Sequence, residues 1–342
     1  MTHVQPRAWI TLIALLPVAL CGASAIMARP AEQTLRLETK IPLGPVGGRI
    51  DHLALDVARH RLFVAELGNN SVGVVDLAAR NVVHRITGLK QPQGLAYAPA
   101  TDTLYVANRG DGSLRMFSGA DYTLIGRVEL DSDADNVRID GAAGRIIVGY
   151  GDGALAAIDM ASRQKIASMA LKGHPEGFQL DPRSSDVFVN LPDDRALVVV
   201  DRATGRTRHR WTVPYGGNFA MTLDNARERV ISVFREPARL VAFSKQSGSV
   251  VDQADTCGDV DDVFLDARRD RFYISCGEGF LDIRDAAAAG FPQLERLATA
   301  NGARTALFAP EIDRLFLAVR SQGNTAAAIW VYAPSSGDAP TR

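Results

Sequence analysis

A repeat constrains this 342-residue chain more than any other feature of it. A short apolar segment returns seven times: Leu62–Ala65, Leu104–Ala107, Ile146–Gly149, Val187–Asn190, Val230–Val233, Phe272–Ser275 and Leu315–Ala318. Successive copies begin 42, 42, 41, 43, 42 and 43 residues apart. A second series, Leu53, Leu95, Val137, Phe178, Met221, Val263 and Ala306, keeps the same intervals. Each unit contains four short β-like runs. In the fourth unit they are Phe178–Leu180, Val187–Asn190, Ala196–Val200 and Thr207–Val213. Turn residues split them at Asp181-Pro182, Pro192-Asp193-Asp194 and Ala203-Thr204-Gly205. Four strands in a period of about 40–45 residues make the blade of a β-propeller. Leucine-rich horseshoes need shorter periods and helical solenoids a 3.6-residue periodicity, so neither fits.

The predicted fold is therefore all-β, a single seven-bladed propeller of four-stranded blades. The seventh unit stops after its third strand, Ala328–Tyr332, while an unassigned extended run, Leu35–Leu43, precedes the first unit. That run sits where a fourth strand belongs. It is predicted to complete blade seven and close the ring, leaving no open edge for aggregation. The propeller then spans 35–333, followed by a flexible tail over 334–342.

The first 25 residues differ in character. Arg7 precedes the apolar run Trp9–Leu20, and Ala23-Ser24-Ala25 offers the small residues a signal peptidase cuts after. The reading is a Sec signal peptide over 1–25 and a short linker over 26–34. The apolar run is short for a membrane span. Lipid anchoring at Cys21 is disfavoured because Leu20 stands where a lipobox takes a small residue. No later segment reads as transmembrane, so the expected location is periplasmic or secreted. Cys257 and Cys276 remain after cleavage, and in an oxidising compartment such a pair reads as a disulfide. Closing that loop is expected to contribute about 3 kcal/mol.

The segment Leu104-Tyr105-Val106-Ala107-Asn108, with Val199-Val200-Asp201 and Ala203-Thr204-Gly205, resembles the repeats of the YVTN or YncE-like propeller family. The resemblance covers roughly residues 35–333. It implies a seven-bladed propeller that is exported, and it assigns no catalytic residue. The recurring Gly-His and Trp-Asp signatures of WD repeats are absent: no Trp-Asp pair occurs, and Gly-His occurs once, at Gly173-His174.

With 38 Lys and Arg against 39 Asp and Glu, the formal charge is -1, which exerts no long-range pull on nucleic acid or anionic lipid. No nucleic-acid partner is expected, and a monomer is. Charge is instead localised. Loops leading into first strands and loops leaving second strands share one face of a propeller, around its central funnel. Aligned on the Leu53-type position, the residues two before it are Asp51, Gln93, Asp135, Glu176, Phe219, Asp261 and Arg304. Those one before it are His52, Gly94, Asn136, Gly177, Ala220, Asp262 and Thr305. Those four before it are Arg49, Gln91, Asp133, His174, Gly217, Asp259 and Gly302. Seven acids against two arginines leave a formal -5 on this rim. Such crowding raises proton affinity or recruits a cation.

The candidate ligand-binding set is accordingly Arg49, Asp51, His52, Gln93, Asp135, Asn136, His174, Glu176, Asp261, Asp262 and Arg304. His174, Glu176 and Asp262 are the metal candidates, for a divalent cation. In His174-Pro175-Glu176-Gly177 a histidine and a carboxylate two apart could face one ion. The same residues are also ordinary turn chemistry. Arg109, Arg235 and Arg320 follow second strands and are expected on this face. No Gly-x-Ser-x-Gly elbow, Walker loop or His-Glu-x-x-His is present. Two functions remain open. One is a non-enzymatic module that recognises a small molecule or an exported protein partner, favoured by the missing catalytic motif. The other is a metal-assisted enzyme of lactonase or lyase type using the funnel's histidines and carboxylates.

Overall fold

The computed structural model describes residues 1–3 and 33–335. Residues 4–25 of the signal peptide, with Cys21, most of the linker and residues 336–342 of the tail lie outside the described residues. Residues 33–335 form seven four-stranded antiparallel sheets. Six of them take four consecutive strands each, beginning at Leu53, Pro92, Val137, Phe178, Gly216 and Val260. The only helical structure among the described residues is four three-residue 3-10 turns. No described helix is long and apolar enough to cross a membrane.

The seventh sheet combines Ala306–Ala309, Arg314–Val319 and Ala328–Pro334 with the N-terminal strand Leu35–Pro42. The last pair is antiparallel from Leu35↔Pro334 to Pro42↔Ala328, so the ring closes as the repeat arithmetic predicts. Its side chains staple the neighbours. Leu35 packs with Tyr273 and Ile283 of blade six, and Ile41 with Leu53 and Leu62 of blade one.

The middle strands carry the repeated apolar segment because both their faces are covered. Leu62, Phe63 and Val64 are fully buried, as are their counterparts Val187 and Val189. Outer strands alternate or are exposed along most of their length, as in Arg206–Thr212, where only Trp211 is half-buried. The apolar core is consequently not one mass. It divides into seven clusters, one in each gap between adjacent blades.

Salt links reinforce several gaps. Arg59 bridges Asp56 of its own blade and Asp102 of the next, and Arg269 does the same between Asp266 and Asp313. Arg227 repeats the pattern with Asp224 and Asp270. Cys257 and Cys276 are disulfide-bonded, with Cα atoms 5.8 Å apart. The bond ties the segment leading into blade six to the end of that blade's second strand.

Candidate functional site in the axial funnel

The three rim columns owe their positions to one recurring backbone device. In blade one, Asp51 N–H donates to Ala65 O and Ala65 N–H to His52 O, so two residues oppose one. Blade three repeats this with Asp135 and Asn136 against Gly149, and blade four with Glu176 and Gly177 against Asn190. Register shifts place the same extra residue in blades two, five and six. These are β-bulges, which re-aim side chains. In an unbroken strand consecutive side chains point to opposite faces. Here both members of each pair (Asp51/His52, Asp135/Asn136, Glu176/Gly177, Asp261/Asp262) line one chamber on the axis.

The position four before the Leu53-type residue serves the turn ahead of the bulge. Gln91, Asp133, Gly217, Asp259 and Gly302 all adopt positive φ there. Glycine at 94 and 177 has a separate cause: a Cβ would collide with the carbonyl oxygen of Asp135 or Phe219 in the next blade. The bulges are also tethered across blades. Asn190 Nδ2 donates to Phe219 O and Ala220 O, and Ser275 Oγ donates to Arg304 O.

The chamber encloses about 50 Å³ and opens to a mouth of about 390 Å³. Arg49, Asp51, His52, Asp135, Asn136, Glu176, Asp261 and Asp262 line the chamber. Gln93, His174 and Arg304 join at the mouth, so all eleven candidates converge on one axial site. Arg109 and Arg235 reach the mouth as expected, whereas Arg320 lines a separate side groove with Lys40 and Trp330.

The arginines are already engaged. Arg49 lies 2.8 Å from Asp51, Arg109 3.3 Å from Asp133, and Arg304 2.6 Å from both Asp259 and Asp261. Arg235 pairs with Asp261 and stacks 3.7 Å above the Phe219 ring centroid. In contrast, Asp135 and Glu176 have no ion-pair partner among the described residues. Asp135 is 4% exposed, and its Oδ1 has no hydrogen-bond donor; neither does Gln93 Oε1.

Burial pushes the Asp135 carboxyl up to about 6, against the pull of nearby His52. Burial, then the charges of Asp135 and Asp261, hold Glu176 well above the usual carboxylate range. Asp262 is pushed up to about 6 by burial, again opposed by His52. For His52 burial disfavours the charged ring, but Asp262, Asp51 and Asp135 outweigh it and raise its pKa. His52 sits 3.8 Å from both Asp51 and Asp262. One half-buried charged group was not anticipated. Arg138 lines the chamber, donating to Phe178 O and Val137 O with its guanidinium over the Phe178 ring. It occupies the column Ala54, Ala96, Arg138, Gln179, Thr222, Phe264 and Leu307, where it is the only charged residue. That singularity was the available signal.

His174, Glu176 and Asp135 come together, their potential ligand atoms within 4.8 Å of one another. Asp262 does not join them; it faces His52 and accepts the Ala306 amide at 2.9 Å.

No protein-family model matches the chain, and no curated protein matches it. Among solved structures, the hydrazine synthase of Kuenenia stuttgartiensis is similar, with a TM-score of 0.74 at 15% identity. The match covers 86% of this chain and 98% of that one. At this identity the likeness establishes the propeller fold and carries no chemistry across.

Proposed function

We propose that the chain is an exported recognition module of YVTN or YncE-like type whose axial funnel binds a small cationic or polyhydroxylic ligand. The observation that carries this reading is a surplus of acceptors without donors. Asp135 Oδ1 and Gln93 Oε1 are buried and unpartnered in the funnel, and each such acceptor costs free energy until something donates to it. The four arginines at the mouth are already paired, so the surplus stays negative and favours a ligand that brings N–H or O–H donors. The disulfide and the leader-like sequence over 1–25 support export.

Thermal-shift and calorimetric titrations of the purified protein with spermidine, choline, glucose and glycerol test the reading. At least one of these is expected to bind, and Asp135→Asn combined with Glu176→Gln to weaken it at least tenfold. A wild-type protein indifferent to the whole panel refutes the reading, as does an affinity the double variant leaves unchanged. A metal-assisted lactonase or lyase is the second reading, favoured by the convergence of Asp135, His174 and Glu176. It depends on a cation being held there.

A further inference from the structure

We infer that Asp135, His174 and Glu176 are the ligands of a first-row divalent transition-metal cation, a site that rests on the funnel being the binding face. The three residues come from the bulges and loops of adjacent blades three and four, and offer two oxygens and one imidazole nitrogen within 4.8 Å of one another. Cation–ligand bonds of about 2.0–2.2 Å need only small side-chain adjustments from that spacing.

The histidine is set for ligation. Its Nδ1 lies 2.6 Å from Gly151 O, which can only accept, so Nδ1 is the donor and Nε2 is the nitrogen turned toward the carboxylates. An imidazole fixed through its far nitrogen by a carbonyl is the usual outer support of a metal-bound histidine. Nε2 faces acids: Asp133 Oδ2 is 4.0 Å away. The backbone carrying the two carboxylates is fixed by the bulges, where Asp135 N–H donates to Gly149 O and Glu176 N–H to Asn190 O. Pro175 is buried between the other two ligands and limits the loop's freedom.

Two buried acceptors point to an occupant, one of them, Gln93 Oε1, outside the cluster. Asp135 Oδ1 and the neighbouring Gln93 Oε1 are each on residues only 4% exposed, and neither has a donor. Metal class follows from the donors. Calcium takes six to eight oxygens and magnesium keeps an oxygen shell, whereas an imidazole nitrogen beside carboxylates suits manganese, cobalt or zinc. Three protein ligands at the funnel leave the remaining positions toward the mouth, where water or an incoming ligand would coordinate.

The test is calorimetry and Mn²⁺ electron paramagnetic resonance on chelator-treated full-length protein, with MnCl₂, ZnCl₂, CaCl₂ and MgCl₂ as probes. One equivalent of Mn²⁺ or Zn²⁺ is expected, with Ca²⁺ and Mg²⁺ at least 30-fold weaker. His174→Gln and Asp135→Asn are each expected to weaken Mn²⁺ at least 30-fold. Glu311→Gln, on an exposed turn of the opposite face, is expected to leave it unchanged. Circular dichroism checks each variant's fold, and the partly exposed His174 carries the test if Asp135→Asn does not fold. No bound metal, or affinity indifferent to His174→Gln, overturns the inference. If spermidine or glucose binds and no metal does, the metal site falls while the recognition reading survives; if nothing binds, both fall.

Discussion

Asp262 keeps its proton at a pH where an exposed aspartate has lost it. Burial raises it from 3.8 to about 6, with Asp261 adding to the rise and His52, Arg138 and the Ala306 amide opposing it. Between about pH 4 and 6 the folded protein holds a proton that the unfolded chain has released, so stability falls as pH rises through that window. His52, raised above 6.5, contributes stability that is lost on further rise through its folded pKa, so it acts in the same sense at higher pH. Asp262→Asn has no proton to lose, and its Oδ1 can still accept from Ala306. The variant should therefore gain on wild type by about 2–3 kcal/mol between pH 4 and pH 7.5. Denaturant midpoints at the two pH values measure this, and equal differences would refute it. The columns placed the eleven candidate residues around one axial site, but not Arg138, which lines the same chamber. Their pairings were not legible. Asp135 and Glu176 stand in adjacent blades, while Asp262 belongs to blade six and meets His52 of blade one, with blade seven between them.

At the scale of the blade, the clasps between neighbours differ in burial more than in chemistry. Arg269 has a side chain only 11% exposed, and it joins Asp266 to Asp313 through three hydrogen bonds of 2.7–2.8 Å. Arg183 reaches Glu228 in the next blade with both side chains about 60% exposed. Arg269→Ala leaves Asp266 buried without its cation and should cost about 3 kcal/mol. Arg183→Ala should cost less than about 0.5 kcal/mol. Urea denaturation of the two variants separates these outcomes, and comparable losses would show that burial is not what matters. The strand count and the turns were readable because each blade repeats the same pattern of burial. The bulge was not readable, since one extra residue leaves the repeat length untouched and changes only which way a side chain faces. Arg138 was missed for a related reason: its column is otherwise uncharged and reads as core.

For the molecule as a whole, stability depends on a closed circle, because seven equivalent clusters leave no gap that can be dispensed with. Removing Leu35–Pro42 would uncover the edge of Ala328–Pro334, strip Arg314 of Glu38, and expose the partners of Leu35 and Ile41. An open, largely apolar edge of that kind pairs with other chains. The truncated protein should elute as oligomers or aggregate and melt at least 10 °C lower, as light scattering and calorimetry would show; a stable monomer would refute the role given to this strand. The closure also has a history in time. Leu35–Pro42 is the first of the described strands to be synthesised, but the strand it must pair with starts at Ala328, 286 positions after Pro42. For the whole interval of synthesis it waits with its hydrogen-bonding groups unclaimed. The last blade cannot be finished until that early strand is retrieved.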